Sequence, residues 1–102
     1  MSKPKIPIPQ DKIQDFCESH HVKQLAFFGS VLTDDFKPES DIDILVDFQV
    51  GHTPSFLKLA KMEKELTTIF DGKTIDLRTP KELSRFFRDD VLNTAWVQYE
   101  QS

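Results

Sequence analysis

The sequence has little of what would place a protein outside the cell or in a membrane. Cys17 is the single cysteine in 102 residues, so no internal disulfide can form, which fits a reducing compartment. No apolar run approaches the roughly 18 residues that a membrane-spanning helix needs. The first nine residues also lack the apolar stretch of a secretory signal peptide. We therefore expect a cytoplasmic protein with no membrane contact.

Positive charge is scarce as well. The chain has 13 Lys and Arg against 17 Asp and Glu, which gives a net charge of −4. A broad nucleic-acid interface needs clustered Lys and Arg to neutralise phosphates, so direct binding of nucleic acid is not expected. A chain of this length forms one domain with a small core and leaves no separate substrate domain. We therefore expect a complex substrate to arrive with a partner.

The spacing of apolar residues predicts alternating helices and strands in one domain over 9–102, preceded by a short extended arm over 1–8. The first predicted elements, in chain order, are a helix over 9–20, a strand over 24–28, one or two helical turns within 30–35 and a strand over 41–48. A helix over 54–70, capped by Thr53, and a strand over 73–78 follow.

The C-terminal third has one clear helix start and one ambiguous end. Thr79-Pro80-Lys81-Glu82 is a capping box that opens a helix through Leu83, Phe86 and Phe87. The chain then continues amphipathically from Val91 to Tyr99, and the last few of these residues suit a short edge strand as well. The complete order predicts an α/β or α+β domain with a small sheet that helices cover mainly on one face.

Strict alternation over 41–48 predicts a strand with one buried face and one charged face. The apolar face carries Ile42, Ile44, Val46 and Phe48, and the charged face carries Asp41, Asp43 and Asp47. Like charges on one strand face repel, and strands disfavour Asp, so a bound cation would relieve this arrangement. Carboxylates two residues apart stand roughly 7 Å from each other. Mg²⁺ prefers oxygen ligands, and two such ions can clamp both oxygens of an in-line displacement at phosphorus.

Two further features accompany this strand. Gly29-Ser30 follows a strand and opens a helical turn, where glycine lets a phosphate approach free backbone N–H groups and Ser30 adds a hydroxyl donor. Asp76 lies on the next strand. If the two strands are neighbours, Asp76 adds a third carboxylate that completes a metal shell or takes the proton of an incoming hydroxyl.

Each feature alone has a simpler interpretation. A Gly-Ser pair between a strand and a helix is commonly a turn, an Asp-x-Asp at a strand start is often a solvated edge, and one Asp in a strand usually lies on the surface. Their conjunction in this order is what favours a phosphate and metal site.

The run Phe28-Gly29-Ser30, followed after ten residues by Asp41-Ile42-Asp43-Ile44-Leu45-Val46, resembles the signature of the DNA polymerase beta-like nucleotidyltransferase superfamily. The chain as a whole is similar to its shortest branch, the minimal nucleotidyltransferase (MNT) proteins, over roughly residues 10 to 100. The resemblance implies the polymerase palm fold, which is a small mixed sheet with helices mainly on one face.

The resemblance also implies an activity and a partner. The family transfers a nucleoside monophosphate from an NTP to a hydroxyl with two Mg²⁺ ions. By motif match, Asp41 and Asp43 would be metal ligands, Asp76 would be the third carboxylate, and Gly29 and Ser30 would hold the triphosphate. MNT proteins are antitoxins of HEPN/MNT toxin–antitoxin modules, which implies transfer of AMP from ATP to a tyrosine of a HEPN ribonuclease within a hetero-oligomer.

One departure from the family bears on whether the chain is an enzyme. Many relatives carry Arg-Gly soon after the Gly-Ser pair, whereas residues 31–35 here read Val-Leu-Thr-Asp-Asp. A basic phosphate ligand would then come from Lys37, Lys73, Arg78 or the partner. The departure motivates the alternative of an antitoxin that neutralises its HEPN partner by binding alone. A separate alternative is a nucleotidyltransferase that acts on a small molecule or an RNA end, against which the acidic balance of the chain counts.

Overall fold

A computed structural model describes residues 3–83 and 88–101, which form helices packed on one sheet. The helices and strands are α1 (Gln10–Ser19), β1 (Val22–Phe28), β2 (Ile42–Phe48), α2 (Phe56–Ile69), β3 (Ile75–Arg78), α3 (Arg88–Thr94) and β4 (Trp96–Glu100). Short 3₁₀ turns cover Gly29–Leu32 and Pro80–Glu82. Within the described ranges, no helix has both the length and the apolar character needed to cross a membrane.

The sheet has the strand order β3-β2-β1-β4 and mixed pairing. β1 runs antiparallel to both β2 and β4, whereas β2 and β3 run parallel. A parallel pair needs a crossover connection, and α2 supplies it between β2 and β3. The prediction of a small mixed sheet in an α/β or α+β domain is therefore confirmed.

The core lies between one face of the sheet and helices α1 and α2. The alternating apolar residues of β2 are all buried there, as the sequence pattern predicted. Helices α1 and α2 contribute Ile13, Phe16, Cys17, Met62, Leu66 and Phe70 to the same cluster. Burial raises the pKa of the Cys17 thiol to about 12, so this cysteine is an inert core residue.

The start of α2 differs from the sequence prediction. The Ser55 hydroxyl accepts a hydrogen bond from the backbone N–H of Lys58 at 3.2 Å, and the helix begins at Phe56. The prediction that Thr53 is the cap is therefore wrong, because serine two residues later offers the same kind of hydroxyl. Pro54 then lies before the cap rather than in the first turn.

The C-terminal third confirms the capping box and resolves the ambiguous end. The Glu82 carboxylate accepts from the backbone N–H of Thr79 at 3.4 Å and from its hydroxyl at 3.2 Å. The prediction of a helix through Leu83 is wrong, because the turn is a 3₁₀ turn over Pro80–Glu82 and the backbone of Leu83 is extended. The predicted helical positions Phe86 and Phe87 lie outside the described residues. The last residues form the edge strand β4, because pairing with β1 satisfies their backbone.

Candidate active site

The face of the sheet opposite α1 and α2 carries the acidic residues. Asp43 and Asp76 are direct partners in the parallel pairing of β2 and β3, so their side chains project side by side from strands about 4.8 Å apart. Asp41 directly precedes β2, and strand alternation gives it the direction of Asp43. Both Asp43 and Asp76 are half-buried, whereas Asp41 is exposed. The structure thus brings the three predicted carboxylates to one region of this face.

The Gly29-Ser30 turn lies directly beside this acidic region. Phe28, the last residue of β1, is the antiparallel partner of Asp43, so the chain enters the 3₁₀ turn at the edge of the carboxylates. Gly29 has a φ of +76°, and a Cβ built on it would overlap the Asp43 Oδ2. The carbonyl of Ser30 accepts from both the backbone N–H and the hydroxyl of Thr33 at 2.9 Å, which fixes the turn.

The electrostatics of the region reflect an excess of negative charge. The pKa of Asp43 is raised above its ordinary value, first by burial and then by the charges of Asp76 and Asp41. The Arg78 guanidinium acts in the opposite direction. Its Nε and Nη2 both donate to the Asp76 Oδ2, at 3.4 and 3.3 Å. One arginine therefore offsets part of the charge of three carboxylates.

The residues present fit a divalent cation in type and in strand position. Three carboxylates supply the hard oxygen ligands that Mg²⁺ prefers, and the missing side chain at Gly29 gives room to the Asp43 carboxylate, whose Oδ2 a Cβ there would overlap. No three Asp, Glu, His or Cys side chains in residues 3–83 and 88–101 already surround a common point as a formed metal site. The Oδ2 of Asp76 is instead paired with the Arg78 guanidinium.

Asp47 shares the alternation of Asp43 but belongs to the far end of β2. It is exposed, and its carboxylate accepts from the backbone N–H of Phe48 at 3.0 Å. Arg78, in contrast, contacts the acidic region directly, a contact that was not predicted from the sequence. The sequence spacing could have predicted this contact, because Asp76 and Arg78 are two residues apart on one strand and so share a face.

Comparison with known proteins places this geometry in a family. The family model described as a nucleotidyltransferase domain matches residues 11–96. A Methanocaldococcus jannaschii protein named as a candidate protein adenylyltransferase is 37% identical over 84 residues, which are 82% of this chain and 87% of the relative. The Thermococcus cleftensis protein adenylyltransferase MntA is 38% identical over 75 residues, 74% of this chain and 73% of the relative.

A solved structure shares the fold at lower sequence identity. It is a complex of a tri-AMPylated Shewanella oneidensis HEPN toxin with an MNT antitoxin, and it aligns with a TM-score of 0.65 and 19% identity. The alignment covers 90% of this chain and 70% of that chain. Because the family model spans most of the sequence and two relatives match over more than two thirds of it, this chain belongs to the nucleotidyltransferase domain family and is a nucleotidyltransferase.

Proposed function

We propose that this chain is an antitoxin-type protein adenylyltransferase, which transfers AMP from ATP to a tyrosine hydroxyl of a HEPN-domain toxin. The observation that carries the proposal is the direct pairing of Asp43 with Asp76 beside the Gly29 turn. The adenylyl group and the protein acceptor follow the names of the relatives, which are protein adenylyltransferases. The HEPN partner follows the solved complex that shares the fold.

Each residue of the site has a proposed task. Gly29 and Ser30 hold the triphosphate, because they open the 3₁₀ turn beside the carboxylates, with Gly29 exposed and Ser30 half-buried. Asp41, Asp43 and Asp76 hold two Mg²⁺ ions. When bound, the ions neutralise the phosphate charge that builds up in an in-line displacement. The half-buried position of Asp43 strengthens its attraction for a cation, since few water molecules compete there.

At the α-phosphorus, the reaction forms one P–O bond and breaks another. The oxygen of the acceptor hydroxyl attacks the α-phosphorus of ATP, and the bond from that phosphorus to the bridging oxygen of the pyrophosphate breaks. The hydroxyl loses its proton, and pyrophosphate leaves. Asp76 accepts that proton if it acts as the base, and the proton passes to solvent water if Asp76 is only a ligand. The rate enhancement comes mainly from holding hydroxyl and phosphate in line.

The acceptor belongs to another protein in this proposal, in keeping with the names of the relatives, which are protein adenylyltransferases. Two neighbouring apolar side chains at the start of α2, Phe56 and Leu57, are 83% and 77% exposed, which favours a protein partner over a small molecule. The single buried cysteine, Cys17, is in keeping with action in the cytoplasm.

The test uses ATP labelled on its α-phosphate, Mg²⁺ and a purified HEPN-domain toxin as the candidate acceptor. Label should transfer to a tyrosine of that protein, and the double variant Asp41→Asn, Asp43→Asn should abolish the transfer. Asp47→Asn removes the same charge from the far end of the same strand and should leave transfer intact. Transfer that survives in the double variant would overturn the proposed site.

A binding-only antitoxin is the second candidate, because residues 29–36 contain no Lys or Arg to hold a phosphate. Growth assays with the toxin separate the two candidates. Loss of neutralisation in the Asp41→Asn, Asp43→Asn variant supports the enzyme. Full neutralisation by the same variant, with the complex still formed on gel filtration, supports binding alone.

A further inference from the structure

Arg78 forms an ion pair with one of the proposed metal ligands. Among the ion pairs between described residues, one involves a carboxylate of the site, and it joins the Arg78 Nη2 to the Asp76 Oδ2 at 3.3 Å. The Nε of Arg78 donates to the same oxygen at 3.4 Å. Both residues lie on β3, and their β2 partners are Asp43 for Asp76 and Leu45 for Arg78. The Arg78 guanidinium therefore reaches Asp76 from a position two residues further along β3.

The geometry of this ion pair is loose. Charge-assisted hydrogen bonds between nitrogen and a carboxylate are usually about 2.7–2.9 Å long, whereas both contacts here are longer than 3.2 Å. The two donors share one oxygen instead of matching both carboxylate oxygens. The side chains of Arg78 and Asp76 are 44% and 37% exposed, so water competes with the pair. Such a pair forms and opens readily.

A bound cation and the Arg78 guanidinium compete for the same carboxylate, that of Asp76. A Mg²⁺ ligand must place its oxygen at about 2.0–2.1 Å from the ion, and a positive guanidinium on the same carboxylate would repel that ion. Residues 3–83 and 88–101 show no formed three-ligand site, and the Oδ2 of Asp76 is paired with Arg78. Opening the contact frees Asp76 to turn towards Asp43.

We propose that Arg78 is a positioning residue that occupies Asp76 in the empty enzyme and competes with the divalent cation for it. The proposal rests on the proposed function, since it takes Asp76 as a metal ligand. Arg78 keeps the cation affinity of the empty site low and relieves the repulsion between Asp43 and Asp76. Binding of the cation releases the guanidinium from the carboxylate.

The test is equilibrium binding of Mn²⁺ without nucleotide, followed by electron paramagnetic resonance. Arg78→Gln should bind Mn²⁺ roughly two- to fivefold more tightly than the wild type, because a surface ion pair contributes little more than that. Lys61→Gln is the matched control, since it removes the same charge from the exposed side of α2, a helix that packs on the other face of the sheet. Its Mn²⁺ affinity should equal that of the wild type.

Three results would overturn the proposal. Arg78→Gln could leave Mn²⁺ binding unchanged or weaken it, which would exclude competition. An equal gain in Lys61→Gln would show a general effect of net charge. Weaker ATP binding by Arg78→Gln, with Mn²⁺ binding unchanged, would make Arg78 a phosphate ligand.

Asp43→Asn separates failure of this inference from failure of the proposed function. In the proposed site, Asp43→Asn abolishes Mn²⁺ binding both in the wild type and in the Arg78→Gln background. Mn²⁺ binding that persists in these variants would refute the metal site itself and with it the proposed function. Binding that is lost in Asp43→Asn, together with an Arg78→Gln affinity no tighter than wild type, would refute the role of Arg78 alone.

Discussion

Gly29 and Asp43 approach each other so closely that no side chain fits between them. A Cβ placed on Gly29 would overlap the Asp43 Oδ2 and would stand 3.2 Å from its Cγ. Gly29 also has a φ of +76°, which L-residues with a side chain seldom adopt. Glycine at position 29 therefore allows both the positive φ of the turn and the close approach of the Asp43 carboxylate. This contact joins the Gly29-Ser30 turn, predicted to hold phosphate, to the predicted metal site.

We expect Gly29→Ala to lose most transfer activity, because the new methyl group pushes the Asp43 carboxylate from its place. It should also lower the free energy of unfolding by more than the roughly 1–2 kcal/mol that positive φ alone costs. Rates of AMP transfer and urea denaturation measure the two effects.

The chain offers two matched controls for this substitution. Gly51 and Gly72 have φ values of +82° and +88°, and a Cβ on either would meet nothing within 4 Å. Gly51→Ala and Gly72→Ala should therefore show the backbone strain alone and keep their activity. A Gly29→Ala variant that behaves like these two would mean that its contact with Asp43 is unimportant.

A second prediction concerns the amount by which the ionised Asp43 carboxylate lowers the free energy of unfolding. Its pKa lies above the ordinary value of 3.8, because of burial and then of Asp76 and Asp41. The folded protein therefore holds this proton at pH values where the unfolded chain has released it. The free energy of unfolding then falls as the pH rises through this acidic range, and the loss remains at neutral pH. Asp43→Asn removes the charge and should be more stable at pH 7, although inactive.

The expected gain in the free energy of unfolding is about 0.2–1 kcal/mol, the range for side chains paired across neighbouring strands. Urea denaturation between pH 4 and pH 7 should show a smaller decrease for Asp43→Asn than for the wild type. Asp47→Asn is the control, since Asp47 is exposed and bonds to its own strand. An Asp43→Asn variant that is less stable than the wild type at pH 7 would contradict the prediction.

Local sequence patterns predicted most of the helices and strands. Long-range strand pairing determined the position of Asp76 and the structure of the C-terminal residues. The alternation over 41–48 gave β2 with its buried face, because the period of two belongs to the strand itself. The placement of Asp76 beside Asp43 depends on the register of β2 and β3, which no local pattern encodes. The short amphipathic end of the chain suits a helix or a strand equally, and only its pairing with β1 makes it β4. The family resemblance, rather than periodicity, is what united the three carboxylates in advance.

The N-terminal arm was expected to be a short extended segment. The structure anchors its described residues beside the Gly29-Ser30 turn. The backbone N–H of Lys5 donates to the carbonyl of Val31 at 2.8 Å, and its ammonium group pairs with Asp34 at 3.3 Å. Ile6 and Ile8 pack against the core. Because Val31 directly follows Ser30, this hydrogen bond holds the turn that we propose for the triphosphate.

The last prediction tests that anchor with two substitutions at one position. Lys5→Pro removes the N–H donor and should lower the free energy of unfolding by about 0.5–1.5 kcal/mol, the usual net value of a hydrogen bond. It should also raise KM for ATP with little change in kcat, since the turn would be held less firmly while the carboxylates stay in place. Lys5→Ala removes only the exposed ion pair with Asp34 and should change stability by less than about 1 kcal/mol, with KM unchanged. If both variants keep the wild-type KM, the arm stabilises the fold without positioning the turn.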